Sequence, residues 1–211
     1  MKYHVYIPKH FEENDRAHLL ALMRAYNFAL LIGDDEDGVP FATHLPVLVR
    51  EEGDQLMIHA HVAAANRHWR LFTNDPYALI VFQGPHAYVS PTNYVSESRV
   101  PTWNYLAVHA YGVVKVIDDA AGKLRILDAL IANHEPAFAE RFVGFEPGLR
   151  DSLVNAIVGL EIAVSAIEGK FKLGQNRLAD NRPDMQTRYE QSSDENERAL
   201  GVWMKKLGYW K

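Results

Sequence analysis

Short apolar runs separated by tight Gly-, Pro- and Asp-rich turns set the terms for what this chain can fold into. Phe28 to Ile32 leads through Asp34-Asp35-Glu36-Asp37-Gly38 into Val39 to Val49, the pattern of a hairpin with an acidic tip. A second turn, Glu51 to Asp54, opens onto Leu56 to His61, and a short helix follows around Asn66 to Phe72. Ala78 to Phe82 reads as a strand, Gln83-Gly84-Pro85 as a turn and His86 to Val89 as its return. Trp103 to Ile117 and Leu160 to Lys172 read as longer strands. Helical patterns stand around them. Asn14 or Asp15 caps one that runs to Tyr26 with the stripe Leu19, Leu20, Leu22 and Met23. Asp118 or Asp119 starts a turn into Lys123 to Asn133, and Asp194 to Leu207 closes the chain. Many strands at short spacing with helices at the edges describe a barrel-like α+β arrangement rather than alternating βαβ units.

The 211 residues suit one domain with a modest extension, and 48% hydrophobic content is enough for a sizeable core. Only the stretch from about Arg182 to Arg198 has the composition of a disordered segment. The chain has no cysteine, which excludes disulfides, thiolate catalysis and Cys-ligated zinc or iron–sulfur centres. That fits a cytoplasmic location. Met1 to Phe11 carries Lys2, Lys9, His4 and His10 without an apolar run, so it does not read as a signal peptide. The longest uncharged stretch, Pro76 to Ser96, is broken by Gly84, Pro85 and Pro91, so no membrane span is expected. A net charge of −5 with scattered Lys and Arg argues against a DNA-binding stripe. GxGxxG, GxxxxGK[ST] and GxSxG are all absent, which leaves a Rossmann site, a P-loop and a serine hydrolase elbow unsupported.

Four stretches carry chemistry-bearing residues. His59 and His61 share one strand face, ahead of Asn66-Arg67-His68-Trp69-Arg70 at the start of a helix. Such an arrangement suits a phosphate, and the His pair also suits a metal. Thr43 and His44 interrupt the apolar strand Phe41 to Val47, whose backbone can meet the edge of a planar heterocycle, while Leu45 and Pro46 follow. Pro46 removes a ladder donor, so this strand is irregular or near an edge. Gln83 to Pro91 and Val100 to Tyr105 bring Tyr, Trp103 and Asn104 close together, as a flat aromatic ligand requires. Lys170, Lys172 and Arg177 cluster with Gln175 and Asn176 after the last strand, a combination that suits an anion. Each stretch also has a bland reading: a polar strand edge, a buried hydrogen-bonded His, aromatics closing a barrel, and a solvated basic turn.

The strings YIPKHFEE, THLPVLV, HAHVAAANRHWR, FQGPHAYVSP, VPTWNYLAVHAYG and IEGKFKLGQNR occur in this order from Tyr6 to about Arg177. Together they resemble the PaiB family of FMN-binding proteins, often described as negative transcriptional regulators. That family looks like a branch of the pyridoxamine phosphate oxidase-like split barrels. The resemblance implies a split β-barrel with peripheral helices over residues 1–180, and a C-terminal helical extension over 181–211. It implies a homodimer with FMN in a groove between subunits. The phosphate would lie near His59, His61, Asn66 and Arg67, and the ring near Thr43, His44, Leu45 and Pro46. Trp103 and Asn104 would line the pocket, with Lys170, Gln175 and Arg177 close by. This chain departs from the family where Ala64 replaces the usual Arg, Arg67 the usual Pro and Gly174 the usual Ser. A basic side chain is therefore lost at one position and gained three residues on.

Three functions follow from these readings: a flavin-dependent oxidoreductase-like protein, a flavin-linked transcriptional regulator with a DNA or protein partner, and a haem-binding or haem-degrading split barrel. The first rests on the cofactor chemistry. The second rests on the family description, since no recognition helix stands out. The third rests on the ten His as candidate axial ligands.

Overall fold

A computed structural model describes residues 5–211. Met1 to His4, part of the polar N-terminal reading, lie outside the described residues. The strands are β1 (Glu12–Glu13), β2 (Phe28–Asp34), β3 (Pro40–Pro46), β4 (Leu48–Glu52), β5 (Gln55–Ala63), β6 (Tyr77–Val89), β7 (Thr102–Ile117) and β8 (Ile157–Lys172). The helices are α1 (Arg16–Ala25), α2 (His68–Leu71), α3 (Ala120–His134), α4 (Ala139–Val143), α5 (Pro147–Asn155), α6 (Met185–Glu190) and α7 (Glu195–Lys206). The sheet order is β3-β2-β6-β7-β8-β5-β4, with β1 added against β8. The registers of β2 with β3 and β6, of β5 with β4 and β8, and of β1 with β8 are antiparallel.

Two expected elements take a different form. Val39 to Val49 is not one strand. It breaks at Val47, whose N–H donates to Asn27 O, and Leu48–Glu52 pairs with β5 at the other end of the sheet order. Pro46, lacking a ladder donor, ends β3 and allows the switch. The expected turn at Gln83-Gly84-Pro85 does not form either, because β6 runs straight through it. The in–out alternation slips by one there, with Gly84 and Pro85 both buried. A Cβ on Gly84 would lie 2.7 Å from Leu22 Cδ1 and 3.2 Å from Leu106 O, so glycine is required by close packing, not by a turn.

By contacts, the described chain divides into two compact units. The first comprises residues 23–82 and 109–167. Its core is the inward set of the sheet, Leu31, Ile58, Ile80, Leu160 and Ile162, all nearly inaccessible. α3, capped by Asp119 through Gly122 N, packs Ile126 and Leu130 on Leu48 and Ile117. Here Gly159 leaves room for Ile117 and Ile126.

The second unit comprises residues 5–22, 83–108 and 168–211. Leu106, Phe171, Leu173, Leu200 and Met204 form its interior, and Trp203 meets Phe171 edge to face at 5.8 Å. The stretch expected to be disordered is folded. α6 buries Met185 and Tyr189, Asp194 caps α7 through Asn196 N, and Lys205 pairs with Glu190 at 2.7 Å. A polar composition hides two short amphipathic helices that bury Met185, Tyr189, Leu200, Trp203 and Met204.

Candidate functional site

In the first unit, the segments expected to hold the phosphate and the ring meet through a partly buried polar lock. β3 alternates, so Phe41 and Thr43 share one face while His44 points to the other. Thr43 Oγ1 lies 2.8 Å from His68 Nδ1, and Asn66 Nδ2 donates to the same hydroxyl oxygen at 3.2 Å. Asn66 Oδ1 in turn accepts from His68 N at 3.0 Å. With the imidazole neutral, one assignment has Asn66 donating to Thr43 and Thr43 donating to His68 Nδ1. This puts the remaining ring proton on Nε2, a buried atom with no hydrogen-bond partner among the described residues. His68 is fully buried between Phe41 and Phe72, at centroid distances of 4.7 and 4.9 Å. Burial holds its pKa down at about 4, so it is uncharged at neutral pH. Gly33 makes this possible, since a Cβ there would lie 2.8 Å from Phe72 and 3.4 Å from His68 Nε2.

The lock leaves two exposed cations at the turn, Arg67 and Arg70. Arg67 is exposed and stands over the Phe41 ring at 5.3 Å, with no carboxylate partner among the described residues. The helix expected to cradle phosphate is only His68–Leu71, too short for a useful dipole. Asn66 spends its amide on the lock, and Ala64 N donates to Ala156 O. Of this segment, the exposed Arg70 lies over the Trp69 ring at 5.1 Å, and Arg67, over the Phe41 ring, is the cation that meets β3. Its charge and planar fork fit a phosphate, so the residues present are compatible with a flavin nucleotide.

The other expected residues of this unit scatter. His59 and His61 do share a face of β5, but His59 Nε2 lies 3.0 Å from Glu52 Oε1. His61 keeps a buried Nδ1 without a partner, and burial lowers its pKa. No group of three metal-capable side chains occurs among the described residues. His44 stacks on Phe28 at 6.1 Å on the outer face, Leu45 is core, and Pro46 ends the strand.

In the second unit, Trp103 is half exposed and meets His86 and Tyr88, each at 6.2 Å. Asn104 points the other way and is 1% exposed, with Oδ1 unpartnered. Lys170 donates to Tyr6 O and lies over the Tyr6 and Tyr105 rings. Gln175 is committed to backbone: Oε1 accepts from Leu173 N and Nε2 donates to Phe171 O. Arg177, Lys172 and Asn104 line a cavity of about 310 Å³. His68 is the residue that reading the sequence left out. Its signal was Thr43, a polar group on the inner face of an apolar strand, which needs a buried partner.

The chain has clear relatives. Residues 5–166 match the family model described as "Putative FMN-binding domain". The protease synthase and sporulation protein PAI 2 of Bacillus subtilis is 36% identical over 195 residues, covering 90% of each chain. Among solved structures, the flavocytochrome Anf3 of Azotobacter vinelandii aligns with a TM-score of 0.58 at 19% identity, over 78% of this chain and 72% of that one. The FAD and heme binding protein of Mycobacterium smegmatis aligns with a TM-score of 0.56 at 18% identity, over 77% and 73%. At these identities the two structures speak for the fold alone.

Proposed function

The chain belongs to the PaiB-type family of FMN-binding domains, with the α+β fold of the pyridoxamine phosphate oxidase-like split barrels, and from that premise we propose a flavin-dependent oxidoreductase-like homodimer. Bound FMN supplies hydride or electron transfer, and the chain supplies binding and orientation. Arg67 takes the phosphate, in place of the basic side chain missing at Ala64. β3 ends the sheet order, so one row of its backbone groups has no neighbouring strand among the described residues and serves the polar edge of the ring. A second copy of the chain completes the groove.

The observation that carries this reading is the Thr43–Asn66–His68 lock. It fixes β3 against the turn that bears Arg67, and so holds ring edge and phosphate anchor in one rigid frame. Flavin fluorescence titration tests it. Arg67→Ala should weaken FMN binding about tenfold, near 1.4 kcal/mol. Lys172→Ala should change it far less, and equal dissociation constants for the two variants would refute the assignment. A regulatory use of the same flavin draws on the likeness to PAI 2, whose name connects it with protease synthesis and sporulation. The haem alternative draws on the candidate His ligands and on the Mycobacterium smegmatis neighbour, described as binding FAD and heme.

A further inference from the structure

The second unit contains a cavity whose lining includes Asn104 and Arg177, two of the residues that the family resemblance groups with the flavin. Its lining includes the polar side chains of Lys172, Arg177, Thr102, Asn104, His10 and Asn176. Phe11, Tyr94 and Pro101 add apolar surface to the same lining. At about 310 Å³ it sits at the bottom of the size range of small-molecule sites, about 300–1,000 Å³. A metabolite suits that volume better than a whole flavin nucleotide does.

Its charge is unbalanced. Asp180 pairs with Arg99 and is shared electrostatically with Arg177, so one carboxylate faces two guanidinium groups. Lys172 has no carboxylate partner among the described residues. Nζ donates to Thr102 Oγ1 and lies 6.0 Å from the Phe11 ring. Burial first, then Lys170 and Arg177, push its pKa down. Cations crowded together without an anion lose energy unless a ligand supplies the charge.

A second observation is independent of charge. Asn104 is 1% exposed, lines the cavity, and leaves Oδ1 without a hydrogen-bond partner. An orphaned amide oxygen at this depth is unfavourable unless a ligand donor meets it. Gly174 keeps the space over that amide open. Its φ is +72°, a conformation that disfavours a side chain, and its Cβ position is 4.0 Å from both amide atoms of Asn104. The residue that departs from the family's Ser is therefore the one that clears access to Asn104.

We infer that this cavity is a binding site for a small organic anion, a carboxylate or phosphate monoester on an apolar body, held by Lys172 and Arg177 with an N–H or O–H donor directed at Asn104. The inference deepens the flavin reading by naming a substrate class, and it rests on that reading only for the word substrate. It reassigns Asn104 and Arg177, which the family resemblance groups with the flavin.

Calorimetric titration of the full chain with benzoate and with phenyl phosphate, in FMN-free and FMN-loaded protein, tests it. At least one probe should bind in both forms, and the tighter one identifies the head group. Lys172→Met and Arg177→Gln should each weaken that binding at least tenfold, with circular dichroism unchanged. The inference is overturned if neither probe binds or if binding survives both substitutions. It is also overturned if a probe releases FMN stoichiometrically, which would return the cavity to the flavin phosphate. Failure of the flavin reading is read separately, by fluorescence titration of FMN against wild type and Arg67→Ala.

Discussion

Acid should weaken this fold through His68, and the size of the effect can be worked from its environment. The imidazole is fully buried and its pKa is held at about 4, against 6.5 in an unfolded chain. Between those values the unfolded chain binds the proton and the folded one does not. Stability is then fully present above about pH 6.5 and is lost as pH falls toward 4. From pH 7 to pH 5 the linkage amounts to about 2 kcal/mol. His61, also lowered by burial, acts in the same direction, so wild type alone does not isolate His68. His68→Gln retains an acceptor for Thr43 and cannot titrate. Urea denaturation of both proteins at pH 7 and pH 5 gives the difference in their pH dependence. Wild type should lose about 2 kcal/mol more than the variant over that interval. Equal losses would refute the claim that His68 is buried neutral within the lock.

Two further outcomes follow from the packing and the proposed assembly. Gly112→Ala should cost about 1–3 kcal/mol in urea denaturation, because its Cβ would sit 2.6 Å from Ala163 O and 2.7 Å from Ile162 Cγ2, and backbone must move. An unchanged midpoint would contradict that close approach. Light scattering on the eluting protein should give twice the 24.0 kDa chain mass, and a monomer that still binds FMN would remove the subunit groove.

Much of the architecture is legible in the sequence because local rules and tertiary demand agree. Asp15 reads as a cap and caps in fact, while Asp119, read as a turn start, and Asp194, read as a helix start, prove to be caps as well, so α1, α3 and α7 fall within a few residues of their expected spans. Gly84-Pro85 fails for a reason that lies outside its neighbourhood. The dipeptide has turn chemistry, but the Gly serves the approach of Leu22 and Leu106, which no local pattern encodes. Val47 and Leu48 fail similarly, since apolar residues on both sides of Pro46 give no sign that the strand changes partner.

The candidate site was legible as segments and not as roles. Thr43 and His44 are neighbours in sequence and occupy opposite faces, so only Thr43 joins the lock. Gln175 reads as a ligand residue until its amide is found on the Leu173 and Phe171 backbone. His68 could be placed only once Thr43 was seen to need a buried acceptor.

Flavin occupancy tests the central claim most directly. Purified protein, incubated with excess FMN and passed through a desalting column, should retain the flavin absorption bands at close to one FMN per chain, with bound fluorescence altered from that of free FMN. A folded protein that emerges colourless, with free FMN in the late fractions, would contradict the account.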